Sequence, residues 1–148
     1  GFIASDFETI NYIKHHSRSL IFSASATPAA AASVLAALEI IQNEPERIDH
    51  LWKLTHHAID NFRRLGFDIG NTVTPIIPLY IHDNIKTLTI TRMLLDEGIF
   101  VNPVVAPAVS KENTLIRFSL MATHTIEQVD VALEKFEKLG KKLKIISK

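Results

Sequence analysis

The stretch at residues 114–121 constrains the fold more than any other part of the sequence. Large apolar side chains at Ile116 and Phe118 flank a cationic one at Arg117. Successive side chains of a β-strand point to opposite faces of its sheet, so this alternation predicts a strand with one face in the core. The chain must therefore build a sheet that is covered on one face and carries Arg117 on the other.

Helix signals lie on both sides of this strand. Ser5 with Glu8, and Thr125 with Gln128, match the spacing of a capping box. Asp83 or Asn84 can cap a helix that begins at residue 85, and Gly66 supplies a C-terminal stop. Residues 18–27 are rich in hydroxyl and β-branched side chains, which predicts a loop or a short extended segment. The predicted helices cover residues 6–17, 28–43, 45–65 and 85–97, and a last one follows Thr125.

Two further strands are predicted, at residues 74–81 and 99–101. Pro75 and Pro78 lie in the first, and proline favours either an edge strand or the start of a strand because it has no N–H to donate. The order of elements is typical of a small α/β (α+β) domain. We expect a mixed or antiparallel three-stranded sheet that is covered by helices.

Composition excludes several classes of protein. The chain has 148 residues, 47% of them apolar, which fits one globular domain. Sixteen basic residues balance sixteen acidic ones, so no nucleic-acid surface is expected. There is no cysteine, which excludes disulfides and thiolate metal sites and is compatible with the cytoplasm. No apolar run is long enough to span a membrane.

Arg117 is the first candidate for a binding residue. Its guanidinium presents five N–H donors in a planar fork, which suits a carboxylate or a phosphate. Periodicity alone also fits an arginine that is ion-paired or faces solvent.

Ser23 and Ser25 alternate just before Pro28, where the 28–43 helix begins. Hydroxyls next to the free N–H groups of a helix N-terminus suit a phosphate, although they also serve as ordinary capping residues. The proline-containing loop at residues 101–109 is unusually apolar, which fits either a ligand channel or packing on its own domain. The seven histidines are scattered without the spacing of a metal site, so we expect no metal.

Five motifs, in this order, resemble the carboxyl-terminal part of the α-oxoamine synthases: GFIAS at 1–5, LIFSASATP at 20–28, EGIFVNP at 97–103, PAV at 107–109 and LIRFSLMATHT at 115–125. These are pyridoxal-phosphate enzymes with the aspartate-aminotransferase fold (fold type I). They include serine palmitoyltransferase and 8-amino-7-oxononanoate synthase, the two leading subtypes here, and 2-amino-3-ketobutyrate CoA ligase. The resemblance implies a cytoplasmic homodimer that condenses an amino acid with an acyl-CoA.

The resemblance also implies a role for each motif. Arg117 matches the arginine that holds the amino-acid carboxylate, and the loop at 103–109 matches the acyl-CoA entrance. Ser23, with Ser25 as a lesser candidate, matches the hydroxyl that contacts the cofactor phosphate of the neighbouring subunit. Residues 1–27 would end the large cofactor-binding domain, and residues 28–148 would form linking helices and the small domain.

The family's Schiff-base lysine matches no lysine of this sequence, so we expect no catalytic residue in this chain and no activity of the chain alone. Two other functions stay open. One is an aminotransferase-like enzyme of the same fold, and the other is a non-catalytic binding or regulatory partner of a full-length synthase.

Overall fold

The computed structural model describes residues 3–147 of the chain. Packing divides the chain into two compact units, Gly1–Asn43 and Glu44–Lys148. The second unit contains all three strands of the described residues, so the predicted sheet belongs to it. Pro45 is the second residue after this boundary, and a proline there disfavours continuation of the helix that ends at Asn43.

Over residues 3–43, the first unit contains three helices, α1 (Phe7–His16), α2 (Arg18–Ile21) and α3 (Pro28–Asn43). The prediction of a loop or extended segment at residues 18–27 is wrong in its first part. There the chain makes one helical turn that Phe22 closes by donating its N–H to the Arg18 carbonyl at 3.0 Å. Residues 24–27 contain no helix or strand. The helix predicted at residues 28–43 is confirmed.

Asp6, and not Ser5, caps the start of α1. The Asp6 carboxylate accepts the N–H of Thr9 at 2.8 Å, whereas the Ser5 hydroxyl donates to Asp6 at 3.1 Å. The predicted capping box with Glu8 is therefore wrong, because a carboxylate one residue further along makes the bond instead. The hydrogen bond from the Thr9 N–H lowers the pKa of Asp6, since it stabilises the charged form.

The sheet of the second unit has three antiparallel strands, β1 (Ile76–Tyr80), β2 (Asn102–Val104) and β3 (Leu115–Ser119). The strand order is β1-β3-β2, so β3 is central and β1 is at an edge. The prediction of a three-stranded sheet is thereby confirmed in its antiparallel form. The edge position predicted from the prolines of the first strand is also confirmed.

The predicted strand at residues 99–101 is wrong. Gly98 leaves the preceding helix with a positive φ of 85°, and the Ile99 N–H donates to the Leu94 carbonyl at 2.8 Å. The backbone of Ile99 is thus still bonded to the helix end. Pairing with β3 begins only at Asn102.

Three helices complete the second unit: α4 (Glu46–Leu65), α5 (Asn84–Asp96) and α6 (Ile126–Lys142). Each has the terminal signal that its sequence predicts. Gly66 ends α4 with a φ of 89°, Asp83 caps α5 by accepting the Lys86 N–H, and Thr125 forms a capping box with Gln128 at the start of α6. A single 3₁₀ turn, Lys111–Asn113, precedes β3.

Four phenylalanines form the centre of the core. Phe62 comes from α4, Phe67 from the segment after it, Phe118 from β3 and Phe136 from α6. Their rings meet edge to face with centroids 5.2 to 5.9 Å apart, the arrangement that aromatic pairs prefer. The helices α4 and α6 are therefore packed against one face of the sheet, and the other face stays open. Within residues 3–147, no helix combines the length and apolar character needed to cross a membrane.

Candidate functional site

Arg117 lies in the middle of the central strand, on the open face of the sheet. The predicted alternation is confirmed, since Ile116 and Phe118 are buried and Arg117 is exposed. The register places Pro78 of β1 and Asn102 of β2 directly beside it, and neither carries a charge. Among the described residues, no carboxylate lies within ion-pair distance of the guanidinium. Arg117 is thus permanently charged, and no carboxylate of the residues that the structure describes neutralises its charge.

A cavity of about 680 Å³ opens beside Arg117. Its walls come from the turn after α5, from the second half of β3 with the residues that follow, and from the first turns of α6. A volume of this size suits a small-molecule ligand. Three apolar side chains in the wall are strongly exposed: Phe100 at 76%, Met121 at 57% and Val131 at 48%. Polar side chains line it as well, among them His124, Gln128 and the carboxylate of Glu127. The guanidinium of Arg117 suits an acidic group, and the apolar side chains suit an apolar portion of the same ligand.

A second, smaller cavity of about 480 Å³ lies at the other end of the open face. Tyr80 of β1 and Leu115 of β3 line it, and so does Val109 from the proline-containing loop. Pro103 of that loop belongs to β2 instead. The loop is therefore partly strand and partly the wall of a cavity.

His82 connects this second cavity to its surroundings. Its backbone has a left-handed φ of 59°, its ring stacks on Tyr80, and its two ring nitrogens face the Glu112 carbonyl and, at 3.2 Å, an oxygen of Asp68. The bond to the Glu112 carbonyl, followed by the bond to Asp68, raises the pKa of His82 because both acceptors favour the charged ring. The Gly70 N–H, which donates to the Asp68 carboxylate, lowers the pKa of Asp68.

Ser23 and Ser25 lie in the first unit, between α2 and α3, and both are exposed. The Ser23 hydroxyl donates to the Leu20 carbonyl at 2.9 Å. Thr27, two residues beyond Ser25, accepts the Ala30 N–H at 3.3 Å and so caps α3. Ser23 and Ser25 are thus free of the capping role that Thr27 fills, and they belong to a different unit from Arg117.

Two histidines of α4 tie this helix to α6 and the residues before it. His50 Nε2 lies 2.9 Å from the His124 carbonyl, and His57 Nε2 lies 2.6 Å from a carboxylate oxygen of Asp130. Over residues 3–147, no group of three or more histidine, aspartate or glutamate side chains is placed to hold a metal ion. These histidines contribute to helix packing.

Asn102 is the site residue that sequence reasoning missed. The sequence predicts a loop at this position, because the apolar run at residues 99–101 before it has the composition of a strand. Its position opposite Arg117 depends on the pairing register, for which the sequence carries no local signal.

A three-stranded antiparallel sheet with helices on one face, with Arg117 on the other, and with a cavity lined by both β3 and α6, defines a small α/β domain. The chain belongs to the aminotransferase class I and II family, whose model matches residues 1–136.

Two curated relatives show where in this family the similarity is high. Serine palmitoyltransferase of Bacteroides thetaiotaomicron is 53% identical over 146 residues, and 8-amino-7-oxononanoate synthase of Thermosipho melanesiensis is 40% identical over 146 residues. Each alignment covers 99% of this chain and 37% of the relative. The chain therefore spans little more than a third of the length of these relatives. The resemblance to the α-oxoamine synthases is confirmed.

A solved structure agrees with this assignment. The chain superimposes with a TM-score of 0.83 and 25% identity on a serine palmitoyltransferase described as having a PLP internal aldimine, over 97% of this chain and 36% of the other. The expected fold, the carboxyl-terminal domain of a fold type I enzyme, is thus confirmed.

Proposed function

We propose that this chain is the carboxyl-terminal part of a pyridoxal-phosphate-dependent acyltransferase, which condenses an amino acid with an acyl-CoA to form an α-oxoamine. The names of the similar proteins support this function. The observation that carries it is Arg117, an exposed cation between two neutral neighbours at the wall of a 680 Å³ cavity.

Arg117 holds the carboxylate of the amino acid in this proposal. A guanidinium binds a carboxylate through two parallel hydrogen bonds, which fix its orientation as well as its position. The central strand is bonded to a neighbour on each side at this point, so the base of the side chain is held in place. The substrate's reacting carbon is thereby positioned relative to the rest of the active site.

The cavity walls and the loop serve the acyl-CoA. Phe100, Met121 and Val131 offer apolar surface close to the guanidinium, where a thioester's acyl portion is shielded from water. The loop at residues 103–109 lies at the acyl-CoA entrance in this proposal.

The cofactor would be held in part by Ser23 and, to a lesser degree, Ser25. Both are exposed hydroxyls just before a helix, and Ser23 can exchange its bond to Leu20 for one to a phosphate oxygen. These residues thus fit the phosphate end of the cofactor. The bound cofactor's pyridine ring supplies an electron sink.

The proposed domain bounds, localisation and oligomeric state are those that the resemblance to the α-oxoamine synthases implies. Residues 1–27 end the large domain and residues 28–148 form the linking helices and the small domain. The compact boundary lies after Asn43 instead, so packing alone groups α3, a linking helix in this proposal, with the first unit. The Schiff-base lysine lies outside this chain, which is inactive alone. We place the whole protein in the cytoplasm as a homodimer, for which the exposed apolar residues Val34, Leu35, Leu38 and Ile41 of α3 offer surface.

Replacing Arg117 by alanine or lysine in the whole protein tests the function. Loss of a bidentate charged contact is expected to raise KM for the amino acid about a hundredfold, with little change in KM for the acyl-CoA. Arg92→Ala is the matched control, because Arg92 is an exposed arginine on α5 that pairs with Asp96. An unchanged KM for the amino acid in both Arg117 variants would contradict the proposal.

The family's description favours one other function, a transaminase that needs no acyl-CoA. Release of free CoA from an acyl-CoA in the presence of the amino acid separates the two. The acyltransferase releases it and the aminotransferase does not.

A further inference from the structure

Asn102 and Arg117 form a pair across the central and outer strands. They are directly opposite in the antiparallel register of β2 and β3, so their side chains rise from the same face. Directly opposed Cβ atoms lie about 4.5 to 5.5 Å apart. Both residues also line the 680 Å³ cavity. Any ligand group that reaches the guanidinium from this cavity therefore passes the Asn102 carboxamide.

The Asn102 side chain is half-buried and makes no hydrogen bond to another residue in the described part of the chain. A carboxamide has two N–H donors and an acceptor oxygen, so the half-buried side chain keeps these groups available to water or to a ligand. On the opposite side of Arg117, Pro78 of β1 has no side-chain polar group to offer. Of the two residues directly opposite Arg117 in the register, Asn102 is the one with a polar side chain, and it lies on the β2 side, where the cavity opens.

We propose that Asn102 is a second substrate-binding residue, whose amide N–H donates to the carboxylate that Arg117 holds. This inference rests on the proposed function and names a further contact in the same site. A carboxylate has about four acceptor positions, and a bidentate guanidinium occupies two of them. The amide fills a third, which turns the plane of the carboxylate towards the cavity.

Two substitutions in the whole protein test this contact. Asn102→Ala removes the donor and is expected to raise KM for the amino acid about tenfold. Asn102→Asp places a negative charge between the guanidinium and the substrate, so KM rises further, by about a hundredfold. In both variants kcat stays within about twofold, because the contact is equal in the ground state and the transition state.

Asn71→Asp is the matched control for the charge change. Asn71 is exposed in the turn that precedes β1, outside the residues that line the cavity. This variant is expected to keep the KM of the unchanged protein. Melting temperatures of all three variants, measured alongside, are expected to remain within a few degrees of one another.

A ligand without the carboxylate separates binding from a purely structural effect. The amine that has a hydrogen in place of the carboxylate offers no acceptor to Asn102, so its dissociation constant, measured by calorimetry, is expected to be the same in the unchanged protein and in Asn102→Ala. If Asn102→Ala weakens binding of the amino acid and of this amine equally, Asn102 acts only through the fold and the inference is overturned.

The outcomes for Arg117 and Asn102 are distinguishable. If Arg117→Ala raises KM for the amino acid and neither Asn102 variant does, the inference that Asn102 binds the carboxylate is wrong while the proposed function stands. If Arg117→Ala has no effect either, the proposed function itself fails.

Discussion

The Cζ atom of Phe67 lies 2.8 Å from the position that a Cβ atom would take on Gly140 of α6. Two side-chain atoms of Ile146 lie 3.2 and 3.3 Å from the same position. Phe67 is 5% exposed and is enclosed by the other phenylalanines, so it has little room to move. Glycine at this place lets the helix approach the core closely.

We predict that Gly140→Ala destabilises the protein by about 1 to 3 kcal/mol, as overpacking does. Helix propensity alone would give the opposite sign, since alanine in a helix is favoured over glycine by about 1 kcal/mol. Urea unfolding measures the difference. Phe67→Leu provides the control, because in its background the penalty of Gly140→Ala should shrink. A stabilising Gly140→Ala in the unchanged background would contradict the packing argument.

Glu97, at the end of α5, is predicted to stabilise the fold in a pH-dependent way. Lys135 lies 2.9 Å from one oxygen of its carboxylate and Lys138 lies 2.8 Å from the other. The hydrogen bonds from these two ammonium groups lower the pKa of Glu97 from 4.5 to about 2. A lowered pKa means that the stabilisation is complete above about pH 4.5 and disappears as the pH falls through about 2.

The variant Glu97→Gln is therefore expected to unfold at lower denaturant concentration than the unchanged protein at pH 7, with the difference shrinking towards pH 2. Glu137→Gln is the matched control, since Glu137 has a single partner, Lys141, on its own helix. Glu137→Gln should shift the denaturation midpoint less than Glu97→Gln does. A difference for Glu97→Gln that is constant over the acid range would count against the ion triad.

His82 is predicted to titrate above its usual pKa of 6.5. Because the pKa is raised in the folded protein, the contribution of His82 to stability is complete below about 6.5 and is lost as the pH rises through the folded value. NMR titration of the ring measures the pKa. In Asp68→Asn we expect this pKa to fall part of the way, since the bond to the Glu112 carbonyl remains.

His82→Asn tests the stability effect, because asparagine tolerates the left-handed backbone at this position. The loss of stability in this variant should be larger at pH 5 than at pH 9. His56→Asn, on an exposed part of α4, supplies the comparison. An effect of His82→Asn that grows with pH would show that the ring is bound in its neutral form.

Ser23 is predicted to contribute to binding of the cofactor phosphate in the whole protein. Ser23→Ala should raise the dissociation constant of pyridoxal phosphate about tenfold in an absorbance titration, since it removes a hydrogen bond to a charged group. Ser25→Ala should raise this constant less. Ser19→Ala is the control, because Ser19 is an exposed serine of α2 whose hydroxyl pairs with that of Ser17. Equal affinity in Ser23→Ala and Ser19→Ala would remove Ser23 from the site.

Local signals in the sequence predicted most of the second unit. Gly66, Asp83 and Thr125 each act through backbone groups within a few residues, so their effects are readable from the chain alone. The alternation around Arg117 was readable for the same reason, because burial repeats every second residue in a strand.

The sequence-based predictions were wrong where two neighbouring residues could both make the same local hydrogen bond, or where a residue distant in the sequence determines the structure. Asp6 and Ser5 are both good caps, and one hydrogen bond from Thr9 selects between them. Residues 99–101 have the composition of a strand, but the Ile99 N–H donates to the Leu94 carbonyl at the end of α5 and so does not pair with a strand. The position of Asn102 beside Arg117 depends on pairing between strands that are separated by a loop, which no short sequence pattern encodes.

Phe118 and Arg117 are consecutive residues that point to opposite faces of β3. Phe118 is held by Phe62 of α4 and Phe136 of α6, which come from the two ends of the second unit. Packing of these phenylalanines therefore fixes the backbone of β3 at Phe118, and with it the position from which the Arg117 side chain extends. We therefore expect substitutions among these phenylalanines to shift the position of the Arg117 side chain as well as to lower the melting temperature.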